Sequence, residues 1–253
     1  MTLVDELVVS AAVDGRSTFA VKFVDGDGEV QRGRLGSYWQ VEFEQVPPVR
    51  QFRWAKGTGS FAGWWWSETM AQHVGFESWL ERDHAMLLDQ DRDVVAFASQ
   101  PFWLLWTQHG RMRRHAPDFF ARRANGTAVV IDVRSDDRIG QADAEAFDAT
   151  ARACAEVGWS YRRVGTPDPV LVANVRWLAR YRHPRCRGRR DVVEALLAVF
   201  AEPTGLFAGV AEVGDRLAVL PVAYHLLWRQ VLRVDLTTEP LRPGSLVRVG
   251  RQP

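Results

Sequence analysis

The sequence is poor in cysteine, in lysine and in long apolar runs. Two cysteines in 253 residues exclude a framework of disulfides. No apolar run reaches the roughly 20 residues that a membrane helix needs. The acidic start, MTLVDELVV, lacks the basic region of a signal peptide. We therefore expect a cytoplasmic protein that has no membrane partner.

Basic residues are almost all arginine, since lysine occurs only at Lys22 and Lys56. The net charge of +1 does not by itself indicate a polyanionic partner. Residues 176–190 carry arginines without any acidic residue, and we call this segment the arginine stripe. Such a stripe suits contacts to DNA phosphates, and a solvated linker is an equal alternative. The DNA-binding candidates are Arg176, Arg180, Arg185, Arg187, Arg189 and Arg190.

The hydrophobic pattern predicts three parts. Residues 1–50 form an antiparallel β arm, with strands over 7–13, 17–24 and 38–46 separated by Asp-Gly turns. Residues 51–170 form the main domain, which begins with a Gly-rich aromatic loop over 54–70. Residues 171–253 form a C-terminal domain of helices followed by two strands. That order predicts a winged-helix-like unit, with a generic helical cap as the alternative.

The main domain alternates helices and strands. Helical spacing covers 76–88 and 143–157, and Gly158 is placed to end the second helix. Strand patterns cover 94–100, 102–107, 111–123, 128–134 and 160–164, with a hairpin turn at Asn125-Gly126. This order predicts an α/β fold with one mixed sheet flanked by helices.

Three acidic residues and one arginine of this domain stand out by position. Glu81 lies on the first helix, Asp118 lies beside a strand, and Asp132 lies inside the apolar strand VVIDV. Asp132 and Arg134 share a face, because side chains alternate along a strand. If the predicted turn closes a hairpin, Asp118 and Asp132 converge on one point.

These acids fit a metal site. A carboxylate inside an apolar strand is costly unless it is paired or binds a cation, and converging carboxylates repel each other. Mg²⁺ prefers oxygen ligands and can activate water beside a phosphodiester. We therefore expect Mg²⁺, or Mn²⁺ as a substitute, to bind Glu81, Asp118, Asp132 and the backbone carbonyl of Val133. Each acid alone has an ordinary explanation: a surface glutamate, a turn aspartate and one half of an internal salt bridge.

The same residues match a family pattern. Pro117-Asp118, then Asp132-Val133-Arg134, with an upstream helix glutamate, resembles the PD-(D/E)xK nucleases. The segment ESWLERDHAMLLDQDRDVVAFASQPFWLLW, with HAPDFFARRANGTAVVIDVR and ANVRWLARYRHPR, resembles the TnsA endonuclease subunits of heteromeric transposases, over roughly residues 50–250. The resemblance implies a restriction-endonuclease-like mixed sheet. It also implies catalytic roles for Glu81, Asp118, Asp132 and Arg134.

The resemblance further implies a specific reaction and specific partners. A TnsA-like subunit hydrolyses one DNA strand at each transposon end and frees the 5′ ends. A DDE-type transposase subunit cuts and joins the other strand, and an AAA+ ATPase regulator contacts the nuclease. The family usually has lysine where this chain has Arg134, and arginine does not act as a base. Two alternatives stay open: a degenerate DNA- or partner-binding subunit of the same assembly, and a PD-(D/E)xK nuclease of defence or repair.

Overall fold

The computed structural model describes residues 18–50 and 61–250. The chain divides into two compact units, the first comprising residues 1–88 and 93–166 and the second comprising residues 89–92 and 167–253. The described part of the predicted arm belongs to the first unit, where its strand pairs with a strand of the main domain. Within the two described ranges, no helix has the length and apolar character that crossing a bilayer requires.

The first unit contains both helices and strands, which confirms the mixed α/β class. In chain order they are β1 (Ala20–Val24), β2 (Val30–Arg34), α1 (Leu35–Tyr38), β3 (Gly63–Ser67), β4 (Gln72–Phe76), α2 (Trp79–Gln90), β5 (Val94–Ser99), β6 (Trp103–Gln108), β7 (Arg111–His115), β8 (Phe119–Arg123), β9 (Ala128–Val133), α3 (Gln141–Glu156) and β10 (Ser160–Val164). Short 3-10 helices lie at Phe43–Gln45 and Asp136–Arg138.

The strands form two four-stranded sheets and a separate hairpin. The antiparallel sheet has the order β2-β1-β6-β7, and the mixed sheet has the order β10-β9-β8-β5, in which only β9 and β10 run parallel. The prediction of a single sheet was therefore wrong. Residues 111–123 divide into β7 and β8 because Pro117 lacks the N–H that a strand ladder needs, and the two strands join different sheets.

Core packing on both sides of β9 explains its apolar sequence. Ala128 and Val130 pack with β1, β6 and α3 on one face, whereas Val129 and Ile131 pack with α2 and β5 on the other. A strand covered on both faces is apolar almost throughout. The buried carboxyl of Asp132 on this strand therefore needs local partners.

Two predictions in the first 70 residues were wrong in part, and the predicted strand over 7–13 lies outside the described residues. Residues 38–46 form no strand; their 3-10 turn instead buries Phe43 and Glu44 side by side. Glu44 is paired there with Arg122, at 2.9 and 3.1 Å. The predicted aromatic loop contains β3, which forms a hairpin with β4.

The second unit contains helices with a small three-stranded sheet. Its elements are α4 (Pro169–Leu178), α5 (Arg190–Val199), β11 (Thr204–Gly205), α6 (Leu206–Val213), α7 (Arg216–Trp228), β12 (Leu232–Arg233) and β13 (Leu246–Val249). The sheet order is β11-β13-β12. The predicted order of helices followed by two strands is present, whereas the short strand β11 between α5 and α6 was not predicted.

Candidate functional site

The predicted hairpin forms and brings two of the three acids together. β8 and β9 pair antiparallel with Phe119 opposite Ile131, so Asp118 and Asp132 are next in register. Gly126 has a φ of +81° in the turn, a conformation that glycine adopts without strain. The Asp118 carboxylate accepts a hydrogen bond from the backbone N–H of Val133, with 2.7 Å between Oδ2 and N. The Val133 N–H therefore orients Asp118.

Asp132 is fully buried, and both of its carboxylate oxygens accept hydrogen bonds. Nε2 of His115 donates to Oδ1 over 2.7 Å, and the hydroxyl of Tyr161 donates to Oδ2 over 2.9 Å. Burial, and then the charge of Asp132, raise the pKa of the Tyr161 hydroxyl, which keeps it protonated as a donor. His115 and Tyr161 were missed by the sequence reasoning, because they come from β7 of the other sheet and from β10.

Glu81 occupies the first turn of α2 and has a capping role. Its carboxylate accepts hydrogen bonds from the backbone N–H of Glu77 at 2.7 Å and from the hydroxyl of Ser78 at 2.8 Å. Ser78 Oγ accepts in turn from the Glu81 N–H, at 3.1 Å. The sequence signal is Ser-x-x-Glu, which is typical of a capping box. This local geometry holds Glu81 in place by itself.

The three acids are nevertheless coupled through their charges. Burial raises the pKa of Asp118 well above its usual value, and the charges of Glu81 and then Asp132 raise it further. The Val133 N–H and the charge of Arg50 act in the opposite direction. Burial also raises the pKa of Glu81. A carboxylate pair in this state gains from any cation that neutralises it.

Arg50 was not predicted, and its charge lowers the pKa of both Glu81 and Asp118. Its Nε donates to the side-chain oxygen of Gln100 over 3.0 Å, and its guanidinium forms an ion pair with Glu77. No local sequence pattern indicated it, because Gln100 lies 50 residues further along the chain.

Arg134, the predicted basic residue, is held on the α3 side of β9. Its guanidinium donates to the backbone oxygen of Arg138 and to the Asp143 carboxylate, each at 3.1 Å. Asp143 also accepts from the Gly140 N–H at the start of α3. In this conformation Arg134 ties β9 to the first turn of α3.

The three acids carry the type of ligand that Mg²⁺ prefers, but their side chains are not arranged as a three-ligand site. Glu81 and Asp118 supply carboxylate oxygens, which are the ligands that Mg²⁺ prefers. Across residues 18–50 and 61–250, however, no group of three or more His, Cys, Asp or Glu side chains is arranged to hold a metal ion. Glu81 and Asp118 would hold such an ion, although both oxygens of Glu81 already accept hydrogen bonds from Glu77 and Ser78, as both oxygens of Asp132 do from His115 and Tyr161.

The arginine stripe is ordered and lies within the second unit. It extends from α4 through two 3-10 turns to the start of α5, and His225 of α7 hydrogen-bonds to the backbone of Tyr181 within it. Arg189 and Arg190 form exposed ion pairs with Asp191 and Glu194. The six candidate side chains are all exposed: Arg176, Arg180, Arg185, Arg187, Arg189 and Arg190.

No protein-family model matches this chain, and no curated protein matches it.

Proposed function

We propose that this protein is a Mg²⁺-dependent DNA endonuclease of the PD-(D/E)xK type. We further propose that it serves, like a TnsA subunit, to hydrolyse phosphodiester bonds at the 5′ ends of a transposon. The observation that carries the proposal is the position of Asp118, whose pKa is raised by burial and by the charges of both Glu81 and Asp132. Such perturbed groups concentrate at functional sites.

The proposed chemistry divides among the chain's own residues. When bound, Mg²⁺ would supply a more acidic water and neutralise charge on the phosphate. Glu81 and Asp118 would hold the ion, and the Val133 N–H orients the Asp118 carboxylate. Asp132 accepts hydrogen bonds from His115 and Tyr161 and so fixes their orientation. Arg134 contributes positive charge and hydrogen bonds without taking up a proton.

The second unit supplies the proposed DNA contact. Its order of helix, strand, two helices and two strands, from α5 to β13, supports a winged-helix-like fold. Helix α7, which would be the recognition helix, is largely buried from Val219 to Trp228. We therefore assign the phosphate contacts to the exposed arginine stripe and not to α7.

Two alternatives rest on particular observations. A degenerate subunit that binds DNA or a partner is favoured by the commitment of Asp132 to His115 and Tyr161, and of Arg134 to Asp143. A nuclease of defence or repair would use the same acids on other DNA. Genes for a DDE-type transposase and an AAA+ ATPase beside this one would favour the transposition role over the others.

The nicking of supercoiled plasmid tests the activity, with Mg²⁺ or Mn²⁺ and with the neighbouring transposase subunit present. Wild-type protein should convert the plasmid to open circles, whereas Asp118→Asn should not. Equal nicking by the two proteins would reject Asp118 as a metal ligand. Wild-type protein that stays inert in the full assembly would favour the degenerate subunit.

A further inference from the structure

Gln100 carries an unused hydrogen-bond donor next to the acids. Its residue is 1% exposed, and its side-chain Nε2 has no hydrogen-bond partner within the described part of the chain. The amide orientation is fixed, because its Oε1 accepts from Nε of Arg50. Buried amide N–H groups almost always find an acceptor. The unpaired group therefore calls for an acceptor that the described residues do not provide.

The backbone also holds Gln100 against Asp118. Its N–H donates to the backbone oxygen of Asp118 over 3.0 Å, and its own carbonyl accepts from the Val49 N–H over 2.8 Å. Its φ is +47°, which is uncommon for a residue other than glycine. These backbone contacts place Gln100 between Asp118 at the start of β8 and the segment that carries Val49 and Arg50.

Arg50 complements this donor. Its side chain is 41% exposed and is paired with Glu77, which is 24% exposed. It therefore lies between solvent and the buried amide. A guanidinium and an amide N–H side by side offer hydrogen bonds to the oxygens of one phosphate. The nearby carboxylates would repel that phosphate unless a cation separates them, as the proposed function requires.

We propose that Arg50 and Gln100 bind a phosphate of the DNA backbone beside Glu81 and Asp118. This inference rests on the proposed nuclease function. The phosphate draws the Arg50 guanidinium away from Glu77, and this movement uncovers the buried Nε2 of Gln100, which donates to a phosphate oxygen. Both residues are binding residues that position the phosphodiester for hydrolysis.

The test observes the Gln100 side-chain amide directly by ¹⁵N–¹H NMR, with Ca²⁺ in place of Mg²⁺ as the cation beside the carboxylates, during titration with duplex DNA. Its two resonances are assigned by their loss in Gln100→Met, and Gln72→Met is the control for an exposed glutamine. We expect these resonances to shift as DNA is added. The shift should saturate at the same DNA concentration as the binding curve measured by fluorescence anisotropy. Gln100→Met should bind DNA about tenfold more weakly. Its melting temperature should change little, because Nε2 has no partner among residues 18–50 and 61–250 and the half-exposed Arg50 can replace its bond to Oε1 with one to water.

Variants of the ion pair complete the test. Arg50→Met should lower the salt slope of binding by about one unit, and Glu77→Gln should strengthen binding because it releases Arg50. Unshifted Gln100 resonances in protein that binds DNA, or undiminished binding by Gln100→Met, would overturn this inference alone. Wild-type protein that neither binds nor cuts DNA in the full assembly would overturn the nuclease proposal together with it.

Discussion

Replacing Asp118 by asparagine should stabilise the protein while it abolishes the cutting of DNA. Asparagine keeps an oxygen for the Val133 N–H. It removes a charge that burial, Glu81 and Asp132 all disfavour. Substitutions that remove an unfavourable group from a functional site commonly add about 0.5–2 kcal/mol to the free energy of unfolding. Each kcal/mol raises the melting temperature by roughly 2–4 °C in a domain of this size.

Asp132→Asn is the matched control, because the two aspartates are next in register across one hairpin. Asp132 accepts from both His115 and Tyr161, so an asparagine NH₂ would face one of these donors. Leaving buried polar groups unsatisfied costs roughly 1–3 kcal/mol. The two substitutions should therefore shift stability in opposite directions.

The assay is thermal and urea unfolding in EDTA between pH 4 and pH 9. The folded-state pKa of Asp118 is raised, so wild type loses stability as pH rises through that pKa, and Asp118→Asn does not. The free energy of unfolding of Asp118→Asn should exceed that of wild type least near pH 4, which is about the pKa of an aspartate in the unfolded chain. This difference should grow as pH rises. Mg²⁺ at about 100 times its Kd should stabilise wild type by about 2.7 kcal/mol and leave Asp118→Asn unchanged. An Asp118→Asn protein that is less stable than wild type across this range would refute the reasoning.

Three further predictions concern the surroundings of the acids and the second unit. Arg134→Ala should slow single-turnover cutting by roughly 10²–10³-fold and keep DNA binding, whereas Arg134→Lys should keep most of the rate. Equal rates in wild type and both variants would show that Arg134 has no role in cutting. Tyr161→Phe should lower the free energy of unfolding by about 1–2 kcal/mol, because Asp132 loses a donor, whereas Tyr38→Phe, whose hydroxyl makes only a 3.5 Å contact, should change it little. Removing four arginines of the stripe should reduce the salt slope of DNA binding by up to about four units, and an equal effect from four exposed arginines elsewhere in the second unit would show that only net charge matters. The stripe variant replaces Arg185, Arg187, Arg189 and Arg190; the control replaces Arg216, Arg229, Arg242 and Arg248.

The parts of the fold that the sequence predicted are those set by local chemistry. Asn125-Gly126 closes the β8–β9 hairpin, and Gly158 ends α3 with a φ of +73°, because such turns depend on neighbouring residues alone. The hairpin places Asp118 and Asp132 next in register on adjacent strands, and their convergence on one metal stays a prediction. Glu81 was found by its position on the helix, although its capping bonds to Ser78 also follow from the local Ser-x-x-Glu pattern.

The parts that escaped prediction depend on distant pairings. His115 contacts Asp132 from β7 of the antiparallel sheet. The hydrophobic pattern predicted residues 111–123 as one strand, so it could not assign His115 to a different sheet from Asp118. Arg50 meets Gln100 across 50 residues of sequence. The alternation over 38–46 resembled a strand, but the ion pair of Glu44 with Arg122 stabilises a 3-10 turn there instead.

Single-turnover nicking of transposon-end DNA tests the central claim most directly. It compares wild type with Asp118→Asn in the full assembly with Mg²⁺, and unfolding measurements show that both proteins are folded. The account predicts a nick that frees the 5′ end of the element in wild type and a loss of at least about 10³-fold in Asp118→Asn, since the proposed metal site loses a ligand. Cutting at the same rate by both proteins, or no cutting by a folded wild type that binds the DNA, would contradict it.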